Sequence, residues 1–398
     1  MLQQAQLLFD SLVALRREVH RHPELGFQEQ NTGRIVAERL NSLGITVRTG
    51  VAKTGVVGDL GAGRPCIALR ADMDALPIQE ENEVPYASEV PGVMHACGHD
   101  VNLTCLLGAA QLLAEEFAAG QLPGRVRFLF QPSEEGQDEE GLSGGMRMAA
   151  EGLTRDVDAV VGLHVWADLP VGAISLRAGT MMARPDKFRL VIKGQEAHGA
   201  FPHRGVDAIV LSAQVIQALQ TVVSRRLDPT RGKVITIGTI QGGTKENVLA
   251  GQVTMTGTIR TFEPDTREAL LCEMERACSV ARSLGGDYEL TIVPGYLPVV
   301  NEPTLTEFVR QTAADLLGEK NVHEAPMEMG GEDFSYLAQE MPGCFFFLGG
   351  ATPGEPPRLH HHPRFDVDER CLPIGAALLA EIAVRFLRDP GARSIPGT

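Results

Sequence analysis

A cysteine, two histidines and an aspartate lie close together in the stretch PGVMHACGHDVN, residues 91–102. Such a cluster is used as half of a metal site, as a thiol nucleophile with an imidazole base, or as a turn around a buried cysteine. The chain has seven cysteines, and the other six lie in apolar or helical patterns that are typical of core packing. Cys97 differs because Gly98, His99 and Asp100 follow it, so its role decides which chemistry the chain performs.

Other side chains that could bind a metal follow three strand-like stretches. The stretches are CIALR (66–70) before Asp72 and Asp74, VRFLF (126–130) before Glu134 and Glu135, and DAVVGL (158–163) before His164. Three further histidines, 360–362, come from the far end of the chain. Thiolate, imidazole and carboxylate together favour a first-row transition metal over calcium or magnesium. The set exceeds what one tetrahedral zinc needs, and it favours two neighbouring metals that activate a water and polarise a carbonyl.

Apolar strands that alternate with helical segments must position these side chains. Helical spacing is found over 5–21 and 29–43, and a helix of about five turns follows the Cys97 motif. This alternation indicates a mostly parallel sheet covered by helices on both faces. Because ligands bind at the carboxyl ends of such strands, we expect the metal-binding side chains to converge there. Taken singly, each piece also fits a packed turn, a solvated glutamate pair or a buried histidine.

The pattern changes from about Lys187 onward. Strands at 187–194, 233–240, 252–262 and 288–293 and helices at 207–225 and 266–284 follow the order β-α-β-β-α-β, which is ferredoxin-like. The predicted fold is α/β: a catalytic domain with a mixed, mostly parallel sheet flanked by helices, and an inserted ferredoxin-like α+β domain. Its predicted limits are 1–185 and 298–398 for the catalytic domain and 186–297 for the insertion. A long helix is predicted from about Cys371 to Arg388.

Composition excludes several classes of protein. A net charge of −15 over 398 residues opposes binding to nucleic acid or to an anionic membrane, since both need a basic surface. The apolar runs are too short to span a bilayer and no basic-then-apolar leader opens the sequence, so a cytoplasmic protein is expected. An odd number of cysteines without short spacings argues against a secreted disulfide scaffold.

Nine stretches, taken together and in order, resemble the aminoacylase/carboxypeptidase metallohydrolase family. They are RREVHRHPELGFQE, ALRADMDALPI, MHACGHD, QPSEEG, GLHVW, AHGAFPH, GTIRTF, GGEDFSY and HHHPRFDVDE. The similarity runs from about residue 10 to 388 and is greatest to the branch of hippurate hydrolases, N-acyl-amino-acid amidohydrolases and plant indoleacetyl-amino-acid hydrolases.

The resemblance implies two divalent metal ions per subunit, zinc or manganese in the first place, with cobalt and nickel as alternatives. The implied ligands are Cys97 as a bridge, His99, Glu135, His164 and His361. His361 is preferred over its neighbours because it matches the family's His-x-Pro position. Glu134 matches the general base, and Asp74 matches the aspartate that orients the metal centre. Asp72 occupies the position of a histidine ligand in other branches.

Three residues of the inserted domain also match family positions. His198 matches a histidine that reaches the active site of a partner subunit and helps to stabilise the oxyanion. Asn247 and Arg260 lie in segments that hold the substrate carboxylate in relatives, although Arg260 fits a charge on a strand surface equally well. The resemblance implies a homodimer or higher homo-oligomer formed through this domain, which also closes over the substrate.

The implied function is hydrolysis of the amide bond of N-acyl-L-amino acids, or of short peptides from the carboxyl end. A metal-activated water attacks the carbonyl, and Glu134 takes its proton and passes it to the leaving amine. The alternatives are a metallo-carboxypeptidase or dipeptidase as the main activity, an amidase with Cys97 as nucleophile, and a non-catalytic metal-binding assembly module.

One position departs from the family pattern. Many relatives read Cys-Gly-His-Asp-x-His-Thr, whereas this chain continues with Val101, Asn102, Leu103 and Thr104. Because the missing histidine is not among the implied ligands, we expect the metal site to survive and the substrate preference or nearby hydrogen bonds to differ. His20 and His22 are interpreted as structural.

Overall fold

The structure is a computed structural model that describes residues 1–120 and 122–389. The helices are α1 (Leu2–Leu7), α2 (Phe9–Arg21), α3 (Gln30–Ser42), α4 (His99–Ala118), α5 (Gly144–Ala150), α6 (Ala208–Thr221), α7 (Pro264–Cys278), α8 (Val280–Ser283), α9 (Pro303–Leu317), α10 (Phe334–Glu340) and α11 (Cys371–Arg388). The strands are β1 (Thr46–Val51), β2 (Gly55–Gly61), β3 (Cys66–Asp72), β4 (Arg125–Gln131), β5 (Ala159–Pro170), β6 (Ile174–Leu176), β7 (Gly179–Met182), β8 (Arg184–Lys193), β9 (Lys233–Gly242), β10 (Gln252–Thr261), β11 (Asp287–Val293), β12 (Val299–Asn301), β13 (Val322–Glu324) and β14 (Gly343–Ala351).

The chain divides into two compact units. The first contains Met1–Met181, Val299–Pro326 and the described residues from Asp333 to Asp389, and the second contains Met182–Pro298 and Met327–Glu332. The limits of the catalytic and inserted domains stay a prediction.

The first unit is built on a mixed eight-stranded sheet in the order β1-β2-β4-β3-β5-β14-β6-β13. At its centre β4, β3, β5 and β14 run parallel. β1 and β2 pair antiparallel with their neighbours, whereas β6 is antiparallel to β14 and parallel to β13. On β3, Ile67, Leu69 and Ala71 join the core that α4 and α11 cover. The alternate residues Arg70 and Asp72 face the opposite side, because successive strand side chains point to opposite faces. This period puts two buried charges on one face of a buried strand.

The second unit is ferredoxin-like. Its four-stranded antiparallel sheet has the order β11-β8-β10-β9, and α6 and α7 connect its strands in the order β-α-β-β-α-β. Leu190 and Met255 of the sheet pack with Leu211 and Met274 of the helices in a separate apolar core. The predicted fold class, an α/β catalytic domain with an inserted ferredoxin-like domain, is confirmed.

Two predicted elements differ from the structure. The helix predicted over 5–21 is two helices, because the chain turns at Leu8, whose amide bonds back to the Ala5 carbonyl three residues earlier. The strand predicted to end at Leu163 continues to Pro170, so His164 lies within β5 and not after it. β5 remains a strand there because β14 pairs beside it without a break to Trp166 and again at Pro170.

Among the described residues, no helix combines the length and the apolar character that crossing a membrane requires.

Candidate metal centre

Cys97 and His99 lie at the beginning of α4, on either side of Gly98. Gly98 has φ of 91°, and a Cβ atom added there would lie 2.4 Å from Cγ1 of Val165 on β5. Only glycine combines this left-handed backbone with so close an approach. The tight turn thereby brings Cys97 to β5, where its Sγ lies 3.5 Å from Nε2 of His164.

The imidazole of His99 is held on one side by Asp74. Its Nδ1 donates to the Asp74 carbonyl at 2.8 Å and lies 3.2 Å from Asp74 Oδ1. Nδ1 therefore carries a proton, and Nε2 is the nitrogen that could bind a metal once its own proton is lost. Within the described chain Nε2 is buried and has no hydrogen-bond partner. Burial alone would lower the pKa of His99, but the carboxylates of Asp72 and Asp74 outweigh it and raise that pKa to about 10.

Asp74 also orients the two adjacent glutamates. Its Oδ1 accepts from the Glu134 amide and its Oδ2 from the Glu135 amide, both at 3.0 Å. Glu134 Oε1 accepts in turn from the amide of Asp333 at 3.3 Å. One buried carboxylate thus fixes both the imidazole of His99 and the backbone from which Glu134 and Glu135 project.

His164 is positioned by the strand that carries it. Its Nδ1 donates to the Val165 carbonyl at 2.7 Å, which leaves the lone pair of Nε2 toward Cys97. Burial lowers the pKa of His164 to about 4, so the ring is neutral near pH 7. A neutral imidazole with an anchored Nδ1–H is the form that binds metal ions.

The three consecutive histidines have different environments. His360 uses both ring nitrogens on backbone groups, since Nδ1 lies 3.1 Å from the Cys97 carbonyl and Nε2 accepts from the Ala167 amide. His362 Nδ1 accepts from the amide two residues later. His361 instead brings its Nε2 to 2.8 Å from Glu135 Oε1. Its φ is 60°, and its amide donates to the Ala96 carbonyl at 2.8 Å. A left-handed non-glycine backbone held in this way is typical of functional sites.

These side chains form overlapping groups whose ligand atoms lie within 4.8 Å of one another. The groups are Cys97 with His99 and His164, Cys97 with Glu135 and His361, and His99 with Glu134 and Glu135. Cys97 is common to the first two. The donor set of one thiol, three imidazoles and carboxylates fits first-row transition metals. The buried Nε2 of His99, which has no hydrogen-bond partner among the described residues, is available to such a metal. The residues present therefore fit a metal centre.

A buried network of hydrogen bonds lies beside these groups. Arg70 donates to Asp72 at 2.8 Å, to Gln131 at 2.9 Å and to Asp333 at 3.2 Å. The other Asp72 oxygen accepts from the side-chain amide of Asn102 at 2.8 Å. Burial opposes ionisation of Asp72, yet His99 and Arg70 hold its pKa below the usual range. Asp72 has both oxygens occupied and lies outside the groups above.

Asp100 joins the first turn of α4 to α2. Its Oδ2 accepts from Arg16 Nε at 2.7 Å and from His20 Nδ1 at 2.8 Å, and all three side chains are buried. Burial opposes the charge on Asp100, but Arg16 and His20 hold its pKa well below the usual range. The interpretation of His20 as structural accords with this contact. His22 is exposed and bonds to the Glu18 carbonyl.

The other three predicted site residues lie in the second unit. The backbone joins His198 to Asn247, because the amide of Gly199 donates to the Asn247 carbonyl at 2.8 Å. His198 Nδ1 accepts from the Ala200 amide, so its proton is on Nε2. Arg260 on β10 donates to the Met329 carbonyl at 3.3 Å, and burial lowers its pKa. Over residues 1–120 and 122–389 no carboxylate forms an ion pair with Arg260.

Sequence reasoning missed several residues that hold the site. Glu29 accepts from the amide of Ser133, directly before Glu134, and burial with the nearby Asp74 charge raises the pKa of Glu29 to about 7. Asp333 holds Gln131 and Arg70 and donates its amide to Glu134. Both acids lie in stretches that carry the family resemblance, HPELGFQE and GGEDFSY, which was the available signal.

Comparison with known proteins gives the family. The model of peptidase family M20/M25/M40 matches residues 68–385. N-acetylcysteine deacetylase of Bacillus subtilis (strain 168) is 40% identical over 383 residues, 94% of this chain and 97% of that protein. Thermostable carboxypeptidase 2 of Saccharolobus solfataricus is 38% identical over 385 residues, 95% of each. A crystal structure of the Bacillus subtilis YXEP protein, described as a dinuclear metal binding peptidase from the M20 family, matches with a TM-score of 0.82 and 36% identity over 96% of this chain and 99% of that chain. The resemblance is confirmed: the chain belongs to peptidase family M20/M25/M40 and is a hydrolase that acts on amide bonds.

Proposed function

We propose that the chain is a metal-dependent amidohydrolase that cleaves N-acyl-L-amino acids into a carboxylic acid and a free amino acid. The observation that carries the proposal is the sharing of Cys97 between two groups of ligand atoms, one with His99 and His164 and one with Glu135 and His361. A shared thiolate between two such groups suits two adjacent divalent metals. The relative named N-acetylcysteine deacetylase supports the substrate class.

Cys97, His99, Glu135, His164 and His361 would hold the metals. When bound, two divalent metals supply Lewis acidity that lowers the pKa of a water and polarises an amide carbonyl. The chain prepares its ligands for this task. The Asp74 carbonyl holds the Nδ1–H of His99 and the Val165 carbonyl holds that of His164, so Nε2 is the nitrogen left for a metal in each ring. At His99, whose pKa is raised to about 10, the Nε2 proton must be lost when a metal binds.

Glu134 is the proposed general base. It takes a proton from the attacking water and delivers it to the leaving nitrogen, the double role of a positioned carboxylate. Its position supports this role in two ways. The Asp74 contact orients its backbone, and the Asp333 amide holds one oxygen of its side chain. Asp74 acts as a positioning residue, since its oxygens contact the Glu134 and Glu135 amides and the His99 ring.

His198, Asn247 and Arg260 are proposed to act on the substrate. The Nε2–H of His198 would donate to the developing oxyanion from the partner subunit. Arg260, without a carboxylate partner in the described chain, would bind the substrate carboxylate together with Asn247.

A homodimer through the second unit is part of the proposal. β9 is an edge strand of the four-stranded sheet and leaves Ile240 55% exposed, and α6 beside it exposes Ile209 and Val210. An unpaired edge with exposed apolar side chains is suited to pairing with a second copy of the chain.

Two other activities remain as alternatives. A carboxypeptidase is supported by the relative named thermostable carboxypeptidase 2, and it would use the same groups on a peptide amide. An amidase with Cys97 as nucleophile has less support, because burial and the charges of Glu135 and Glu134 raise the pKa of the Cys97 thiol. An activated cysteine needs the opposite shift.

The test is to strip the protein of metal, measure metal content, and reload it with zinc, manganese, cobalt or nickel before assay. The substrates are N-acetyl, N-benzoyl and indoleacetyl amino acids beside dipeptides and longer peptides. We expect metal-restored hydrolysis of N-acyl amino acids. Preference for peptides would assign the carboxypeptidase activity, and activity that resists chelators but is lost on thiol alkylation would assign the nucleophile. No hydrolysis with any metal would overturn the proposal.

A further inference from the structure

Three consecutive backbone amides donate to two buried carboxylates. The amide of Ser133 donates to Glu29 Oε1 at 2.8 Å, while those of Glu134 and Glu135 donate to the two oxygens of Asp74 at 3.0 Å. A hydrogen bond of this type is stronger when the carboxyl group that accepts it is ionised. The turn that carries Glu134 is therefore held by side chains from two separate parts of the chain.

Ser133 has a strained backbone at this turn. Its φ is 44°, in the left-handed region that costs a non-glycine residue free energy and that surrounding contacts must maintain. Its hydroxyl donates to the Gly136 carbonyl at 3.2 Å. A Cβ atom added at Gly26 would lie 2.4 Å from that hydroxyl oxygen, so only a glycine at position 26 makes room for the Ser133 side chain.

Both carboxyl oxygens of Glu29 accept hydrogen bonds. The residue is completely buried at the beginning of α3, and its second oxygen accepts from the Thr54 hydroxyl at 2.5 Å. Thr54 precedes β2, so Glu29 is fixed between a helix end and a strand before it reaches Ser133. Because Thr54 holds one oxygen of Glu29, the other oxygen restrains the position of the Ser133 amide.

We infer that Glu29 is a positioning residue for the reaction: it fixes Ser133 in the left-handed backbone that aims Glu134 at the reacting water. The inference rests on the proposed role of Glu134 as the base. Among the described residues, no hydrogen bond joins Glu29 to a proposed metal ligand. Glu29 acts through the geometry of its hydrogen bonds to Ser133 and Thr54.

Two substitutions separate geometry from charge. Glu29→Gln cannot ionise at any pH but keeps an oxygen for the Ser133 amide and a donor for the Thr54 hydroxyl. Glu29→Asp keeps an ionisable carboxyl group but is one methylene shorter and cannot span both partners. We expect Glu29→Gln to retain kcat within about threefold and Glu29→Asp to lose at least about tenfold, because small misplacement of a catalytic group is costly. KM and metal content should be unchanged in both.

Hydrogen–deuterium exchange gives a readout that does not depend on activity. Peptides covering 131–136 should exchange faster in Glu29→Asp than in Glu29→Gln or the wild type. Glu24→Asp is the matched control: Glu24 caps the same helix through the amides of Asn31 and Thr32, and no hydrogen bond joins its side chain to Ser133 in the described part of the chain. It should lower stability without changing kcat or exchange at 131–136.

The outcomes are distinct. The inference would be overturned if Glu29→Asp had the same kcat and the same exchange at 131–136 as the wild type. It would also be overturned if Glu29→Asp and Glu29→Gln lost kcat equally. If Glu29→Asp does not fold, Thr54→Val replaces it, and unchanged kcat and exchange there would also overturn it. Failure of the wild type to hydrolyse N-acyl amino acids would instead sink the proposed function, while the exchange measurement still tests the contact.

Discussion

Asn102 donates its side-chain amide to the carboxylate of Asp72 at 2.8 Å, and both residues are fully buried. The oxygen of the same amide accepts from the Val165 amide at 2.9 Å. Asn102, on α4, therefore joins the end of β3 to the middle of β5, one residue from His164. The position at which the sequence departs from many relatives is thus a bridge between two strands that carry proposed site residues.

Asn102→Leu should destabilise the protein, because it leaves one oxygen of Asp72 and the Val165 amide each without a hydrogen-bond partner in the interior, while Arg70 still holds the other Asp72 oxygen. Each unsatisfied buried group costs about 1–3 kcal/mol, so we expect a loss of about 2–4 kcal/mol in the free energy of unfolding. Denaturant titration measures it. Asn102→Asp, which keeps the shape but faces Asp72 with a second carboxylate, should be at least as unstable at neutral pH. Wild-type stability in Asn102→Leu would contradict the bridge.

Glu134→Gln should abolish most turnover while leaving the metal content intact. The amide keeps the shape of the side chain but cannot take a proton, and general base catalysis contributes about 10²–10⁴-fold. Steady-state kinetics and metal analysis on the same sample check this expectation. Glu135→Gln is the control, since it should lower metal content together with activity. Substantial activity in Glu134→Gln would assign the base elsewhere.

Cys97→Ala should lose more metal than His164→Ala. Cys97 belongs to two of the groups of ligand atoms, whereas His164 belongs to one. The stoichiometry of bound metal after equilibrium dialysis, measured at several metal concentrations, distinguishes the two. Equal losses in both variants would argue against a shared thiolate.

Asp186 should make the second unit sensitive to acid. Its carboxylate accepts from Arg184 at 2.9 Å, from the Gly295 amide at 3.0 Å and from Arg267. Burial would raise its pKa, but Arg267, Arg184 and Gly295 outweigh burial and lower it. Because the pKa of Asp186 is lower in the folded than in the unfolded protein, its ionised carboxylate stabilises the fold at pH values above the unfolded-state pKa of about 4. This stabilisation is lost as the pH falls through the folded-state pKa.

Asp186→Asn should therefore cost about 2–4 kcal/mol near pH 7, since breaking a buried charged pair is expensive. The difference from the wild type should stay constant down to about pH 5 and shrink below pH 4. Unfolding free energies measured across this range test the sign. A difference that grows on acidification would contradict it.

The sequence predicted those parts of the fold that local pattern determines. Apolar runs such as CIALR and VRFLF became β3 and β4, and the helix predicted after Cys97 is α4. The extension of β5 past His164 could not be predicted, because it depends on pairing with β14 from the far end of the chain. Period and propensity describe a segment, but they do not identify its neighbour in a sheet.

The candidate site follows the same division. The convergence of Cys97, His99, Glu135, His164 and His361 was expected from strand ends and family motifs, and their roles as ligands stay a prediction. The contacts of Glu29 and Asn102 could not be predicted. Each accepts a hydrogen bond from a backbone amide far away in sequence, that of Ser133 for Glu29 and that of Val165 for Asn102. Nearly every residue type has a backbone amide, so the sequence does not indicate which one is used.

The position of β14 has a consequence for biosynthesis. This strand lies between β5 and β6 in the large sheet, yet a ribosome makes it only after the whole second unit, and His361 later still. Cys97, His99 and His164 are translated early and must wait for their neighbouring strand and for the last histidine. A nascent chain therefore carries the separate parts of the proposed metal site through most of its synthesis. If the proposed ligands bind metal, we expect full affinity only in a completely translated and folded molecule.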